Sequence, residues 1–229
     1  MIMKNLFYIL LLSPLFFISS CDEDVVHGCL DSQAINYNSQ ASIDNNSCEY
    51  PEIGSLFQGG IVFYVDVAGE YGFTGLVAAL EDLTEGATDP FGSGFSGYEW
   101  GCFMVYVDGA DGQTIGAGYQ NTMDIVSQGC STEYGGITAA QAALGAEING
   151  YSDWYLPSID ELEEMYVAIG KGSEDGNIGG FENTWYWSSS EYDSNDPVSN
   201  YAWIVGFDGG FTTGGGKKNA SKVRVIRDF

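Results

Sequence analysis

Residues 150–162 read Gly150-Tyr151-Ser152-Asp153-Trp154-Tyr155-Leu156-Pro157-Ser158-Ile159-Asp160-Glu161-Leu162. An aromatic, extended stretch runs here into the clearest helix start in the chain. Ser158 can accept a hydrogen bond from the backbone three residues on, and Glu161 can reach back to Ser158, which makes a capping box. Pro157 before the cap and Gly170 beyond the last apolar position bound a helix over 158–169. Leu162, Met165, Tyr166 and Ile169 fall on one stripe, which predicts a face packed on a core. Asp160, Glu161, Glu163 and Glu164 crowd the first turns, where the helix dipole favours negative charge, so they need no catalytic explanation.

Outward from this helix the pattern changes to short, turn-linked strands. Residues 185–190 (Trp-Tyr-Trp-Ser-Ser-Ser) and 201–207 (Tyr-Ala-Trp-Ile-Val-Gly-Phe) read as strands. Asp208-Gly209-Gly210 is a hairpin turn signal. Residues 222–228 predict a last strand, with the charges of Val223-Arg224-Val225-Ile226-Arg227 on its polar face. Upstream, 60–67 and 75–80 are β-branched or apolar runs, hence two further strands. Residues 84–118 are rich in Gly, Asp and Ser and predict long surface loops. Helices are expected over 121–127 and 138–148. Two or three helices with several turn-linked strands predict an α+β domain over 51–229, with mainly antiparallel pairing.

The N-terminus has another character. Lys4 precedes an apolar run from Leu6 to Ile18, then Ser19-Ser20-Cys21, the charged, apolar, small-residue order of a secretory signal over 1–20. The run is too short to span a membrane as a helix. The ending resembles a bacterial lipobox, which implies lipidation of Cys21 and a membrane attachment through that lipid. An acidic tether (21–27) follows. Directly after a lipidated cysteine, Asp22-Glu23-Asp24 resembles either an inner-membrane retention signal or the surface-export signal of Bacteroidetes lipoproteins.

Cys29, Cys48, Cys102 and Cys130 remain. In an oxidising compartment they predict disulfides, with three possible pairings, and the domain division suggests Cys29–Cys48 and Cys102–Cys130. Cysteine-bound metal is the alternative, but there is no Cys-x-x-Cys spacing and His27 is the only histidine.

The segment 28–50 resembles a module of Bacteroidetes surface proteins, of the form Gly-Cys-x-Asp…Ala-x-Asn-Tyr-Asn…Ala…Asp…Ser-Cys-x-Tyr, loosely similar to calcium-binding thrombospondin type 3 repeats. That resemblance also favours surface export and an outer-membrane location. Asp31, Asn36, Asn38, Asp44 and Asn46 offer the oxygen ligands that Ca²⁺ takes. The same residues close turns on their own backbone, so a disulfide-stapled turn module without metal is the other reading.

Composition limits the partners. A net charge of −25, with only 7 Lys and Arg, repels nucleic acid. Aromatics at 14% exclude a disordered acidic tail. Lys217, Lys218, Lys222, Arg224 and Arg227 cluster at the end of the chain, either as an anion-binding patch or as partners of acidic neighbours.

Several motifs together resemble one family. They are Gly59-Gly60-Ile61-Val62-Phe63-Tyr64-Val65, Trp100-Gly101-Cys102, Gly150 to Leu162 as quoted above, Tyr186-Trp187-Ser188-Ser189-Ser190-Glu191-Tyr192, Ala202-Trp203 and Val223-Arg224-Val225-Ile226-Arg227. Together they are similar to the DUF1566 family, the C-terminal domain of the Legionella collagen-like adhesin, across nearly all of 54–229. The resemblance implies a C-type-lectin-like fold. It also implies adhesive binding to glycans or extracellular matrix, and trimeric assembly in the adhesin relatives raises a homo-oligomer. The calcium-lectin signatures Glu-Pro-Asn and Trp-Asn-Asp are absent, as is the family's further cysteine near 144.

Fold alone does not set function. The leading expectation is a non-catalytic surface binding module, with Tyr98, Trp100, Trp185 and Tyr192 as candidate sugar-stacking rings and Lys217 and Lys218 as polar contacts. A structural or assembly protein of the envelope is the alternative. A carboxylate-pair glycan hydrolase is a third reading, but in so acidic a chain some pair always lies at suitable spacing. The lone His27 lies outside the main domain, which removes Ser-His-Asp and Cys-His catalysis from it.

Overall fold

A computed structural model describes residues 25–32, 34–89, 92, 94–192 and 199–229; the signal segment, Cys21 and Asp22-Glu23-Asp24 lie outside them. The small module pairs β1 (His27–Gly28) with β2 (Ile43–Asp44) in parallel and is closed by a Cys29–Cys48 disulfide.

The main domain is α+β and mainly antiparallel. β3 (Leu56–Phe57), β4 (Gly60–Val65), β5 (Gly75–Ala78) and β11 (Ile226–Asp228) form a four-stranded sheet in the order β11-β5-β4-β3. β7 (Trp185–Glu191), β8 (Tyr201–Gly206) and β9 (Phe211–Gly216) form a second sheet in sequence order. β6 (Tyr98–Glu99) pairs with β10 (Ala220–Ser221). The helices are α1 (Gly118–Ser127), α2 (Ala139–Leu144) and α3 (Ile159–Ile169).

The capping box at Ser158 and Glu161 is present with both of its hydrogen bonds, and α3 buries Leu162, Met165 and Ile169. This face packs on β4, β7 and β8. Its cluster includes Phe63, Tyr186 and Phe207, with the Phe181 and Phe207 rings 4.4 Å apart. A second cluster gathers Trp100, Trp154 and Trp187, all fully buried, with α1 and α2. The indoles are spent on backbone: Trp100 donates to the Ser188 carbonyl at 2.9 Å and Trp187 to the Tyr98 carbonyl at 2.7 Å. The three consecutive serines of β7 are buried for a similar reason. Their hydroxyls donate to the carbonyls of Trp203, Pro157 and Gly112, so a polar strand interior ties three segments together.

Several boundaries differ from expectation. α1 begins three residues early, at Gly118. α2 is capped by Thr138 in a second capping box and stops at Leu144, with Gly145 as its C-cap. The final strand is shorter than 222–228. Residues 222–225 still run beside 79–83, where Ala79 and Leu83 N–H donate to Val225 and Val223. Within this irregular stretch the Arg224 side chain turns inward. It donates to Asp82 at 2.7 Å and to the carbonyls of Ala79 and Gly179. The loop 84–118 is irregular, as expected, apart from β6, but it is not wholly a surface feature, since Tyr98 and Trp100 lie in the core.

Candidate functional site

The C-terminal cations decide what kind of surface the domain offers. Four of the five pair with carboxylates, as one of the two readings of the cluster expects, and Arg224 and Arg227 do so inside the fold rather than on the expected polar face of a strand. Arg224 pairs with Asp82 and lies over the Phe181 ring at 4.3 Å. Arg227 grips both oxygens of Asp153 at 2.7 Å and covers Tyr151; this holds the Asp153 carboxyl below its ordinary range, despite partial burial. Lys222 pairs with Glu182 at 2.9 Å. Lys217 is fully buried and pairs with buried Glu191, while its Nζ also reaches the Val105 carbonyl at 2.8 Å and Ser199 Oγ at 2.9 Å. Burial pushes the Glu191 carboxyl up and the Lys217 ammonium down, and their mutual attraction opposes both. Of the five cations, only Lys218 lacks a carboxylate partner among the described residues.

The candidate ligand residues therefore divide. Tyr98, Trp100 and Lys217, expected at an accessible binding surface, are buried at 0–1% exposure and contact no open site. The aromatic content of a loop-rich segment reflects core packing here. Trp185 is 39% exposed. Tyr192 is half-buried, with its ring 4.3 Å from Trp203 and against Gly214. Lys218 lies with Nζ 4.7 Å from the centre of the Phe103 ring.

Trp185 and Lys218 border one groove of about 840 Å³ on the face of the β7-β8-β9 sheet. Its floor is Ile204, Thr213 and the glycines 214–216 of β9, and Phe103, Met104 and Tyr201 stand at its margins. Strand pairing makes this surface, because Trp187, Ile204 and Thr213 are cross-strand partners. A side chain at Gly215 would collide with Ile204 and Trp187, so the glycine run keeps the floor low. Phe103, Met104 and Tyr201 were not legible as site residues. The nearest signal is Phe211-Thr-Thr-Gly-Gly-Gly after the hairpin turn, whose glycines disguise a strand.

In the small module four of the five candidate calcium ligands have their side chains engaged locally. Asn36 donates to the Ser47 carbonyl and accepts from Glu49 N–H. Asn38 accepts from Gln40 N–H and Asp44 from Asn46 N–H, both Asx turns. Asn46 has a left-handed backbone, with φ 55°. Asp31 accepts from the Tyr50 hydroxyl at 2.7 Å. Among the described residues no three His, Cys, Asp or Glu side chains converge as a metal site. The second disulfide joins Cys102 to Cys130, fastening the loop at the groove margin to the segment after α1.

Two further carboxylates are buried. Glu99 accepts from the N–H groups of Glu133 and Tyr134, ordering that loop. Glu161 accepts from Ser158 N–H at 2.6 Å and Gly116 N–H at 2.7 Å, and burial raises its carboxyl to about 7 against the pull of those bonds. Both act as backbone acceptors.

No curated protein matches the chain. A family model described as the Lcl C-terminal domain matches residues 114–227. The matched span takes in the three helices, the β7-β8-β9 sheet and the arginine-bearing closing segment, whereas β3, β4, β5 and Cys102 lie before it. Over residues 114–227 the chain thus carries a domain of the Lcl C-terminal domain family, that of the Legionella collagen-like protein.

Proposed function

We propose that this protein is a lipid-anchored, outer-membrane and surface-facing binding module that takes a glycan, of cell surfaces or extracellular matrix, without catalysis. The carrying observation is the open groove beside Trp185, with an aromatic margin and a glycine floor. A ring 39% exposed at the edge of a flat floor suits stacking on a sugar face. The domain's first and last strands share one sheet, beside few helices and long loops, which supports a lectin-like fold. The lipobox-like ending at Cys21 supports the anchor. Glu161 and Glu191 are committed to a helix cap and an ion pair, which leaves the hydrolase reading with little.

Charge narrows the ligand. Recognition of sulfate needs converging cations, and the groove offers Lys218 alone. A neutral saccharide is the better match. The test is a polysaccharide array, neutral and sulfated, with and without Ca²⁺. Binding to neutral glycans that survives high salt supports this reading, and no binding to any polysaccharide overturns it.

An assembly role is favoured by a different observation. β9 is a six-residue strand paired only to β8 among the described strands, and it has no charged residue to guard its free edge. Light scattering across a concentration series tests this, and a strict monomer counts against it.

A further inference from the structure

A second cleft lies away from the aromatic groove and has the opposite chemistry. It occupies about 560 Å³ between the segment after β5 and the end of α2, within the range of ligand-sized sites. Its apolar surface comes from Leu80, Leu83, Ile137 and Ile148, with Leu80 at 44% and Ile137 at 39% exposure. No aromatic ring lines it. Its charged residues are all acidic: Glu81, Asp82, Glu85 and Glu147. Asp82 is already spent on Arg224 and the Tyr186 hydroxyl. Glu81, Glu85 and Glu147 are exposed and form no ion pair among the described residues.

The cleft is elongated. Through Leu80 and Asn149 it adjoins a shallow depression of about 240 Å³ over Leu56, Phe57 and residues 58–60. Leu56, at 73% exposure, lies on β3, the outer strand of the four-stranded sheet. A long trough in which aliphatic side chains alternate with carboxylates, with Phe57 as the one ring at its far end, rejects anions and gives the main cleft no ring for a sugar to stack on. It fits an extended chain that alternates apolar and cationic side chains.

The geometry points to a docking site for a basic, apolar peptide segment of a partner protein, with aliphatic side chains in the trough and Lys or Arg over Glu81, Glu85 and Glu147. The apolar contacts supply attraction that salt does not screen, and the carboxylates supply orientation and a salt-dependent part. The site is independent of the saccharide groove and does not rest on it.

The probe is a fluorescein-labelled peptide of sequence Leu-Lys-Leu-Lys-Leu-Arg, followed by anisotropy on the purified protein. Saturable binding is expected. The triple variant Glu81→Gln/Glu85→Gln/Glu147→Gln should weaken it at least tenfold, and Ala146→Trp, which fills the trough, should abolish it. A control variant carrying Asp111→Asn, Glu133→Gln and Asp175→Asn should bind within twofold of wild type, which separates a site from the general acidity of the chain. Spermine, with charge but no aliphatic side chains, should compete at least tenfold less well. Absence of saturable binding, equal loss in the control variant, or equal competition by spermine would each overturn the assignment. Circular dichroism establishes that each variant is folded, and the glutamine variant tests the site even if Ala146→Trp is not.

Discussion

Lys217→Met removes the ammonium from the buried Glu191 pair and keeps most of the aliphatic stem beside Trp100. Lys217 Nζ lies 4.7 Å from the Trp100 ring centre and binds Val105, Ser199 and Glu191. Without it, the Val105 carbonyl and Ser199 lose a donor, and Glu191 is left as a buried charge at 1% exposure. Its Oε2 has no hydrogen-bond partner even with lysine present. Breaking a buried pair on one side costs about 3–5 kcal/mol, a large part of a total stability of about 5–15 kcal/mol. The sign of the pH effect follows from Glu191. Burial raises its folded pKa above the ordinary value, and in the variant the attraction of Lys217 no longer opposes that rise, which leaves only the Val107 backbone and Ser199 hydroxyl hydrogen bonds on the charged form. Protonation of the folded state then removes the uncompensated charge. The deficit is therefore greatest near pH 8 and shrinks as pH falls towards 5. Urea denaturation of wild type, Lys217→Met, Glu191→Gln and the double variant at both pH values measures this. The double variant should be more stable than the sum of the single losses by at least about 1 kcal/mol. A loss under about 1 kcal/mol at pH 8 for Lys217→Met, or additive losses, would refute the reasoning.

Three other outcomes follow from the packing. Glu161 has a folded pKa of about 7 against an ordinary 4.5, so the stability it contributes is full below 4.5 and is lost as pH rises to about 7. Across that window wild type should lose as much as about 3 kcal/mol relative to Glu161→Gln, which does not titrate there, as followed by urea denaturation. Gly118→Ala should destabilise by about 1–3 kcal/mol in the same assay, because its Cβ would lie 2.6 Å from the Leu156 carbonyl and 2.8 Å from Ser158 N, and would also strike Glu161. Replacing Cys102 and Cys130 by alanine frees a loop with a sequence separation of 28 residues. Loop entropy alone puts the cost at about 3.6 kcal/mol, readable as a lowered melting temperature of the variant under non-reducing conditions.

How much of this could be read beforehand depends on the range of the forces involved. The α3 helix was legible because its capping box, stripe and boundaries are local. The Asp208-Gly209-Gly210 turn between β8 and β9 was legible for the same reason. Arg224 and Arg227 pair with acidic side chains, as one reading of the cluster expects, but not on a solvent face: periodicity assigns charge outward, whereas Asp82 and Asp153 lie 142 and 74 residues away and draw them inward. Tyr98 and Trp100 were candidates for a surface because they sit in a glycine-rich loop, and only tertiary packing shows that loop entering the core. Trp185 and Lys218 were named from residue type. What joins them into a groove, the glycines of β9 and the margin at Phe103 and Met104, depends on strand pairing and the Cys102–Cys130 crosslink.

The proposed saccharide stacks against Trp185 at the groove margin. Calorimetric titration of the best neutral oligosaccharide from the array, into wild type and Trp185→Ala at low and high salt, tests it most directly. At least a tenfold weaker affinity is expected for the variant, about 1.4 kcal/mol, with little change between salts and with circular dichroism showing the fold retained. Equal affinity of the two proteins, or binding that vanishes at high salt, would contradict it.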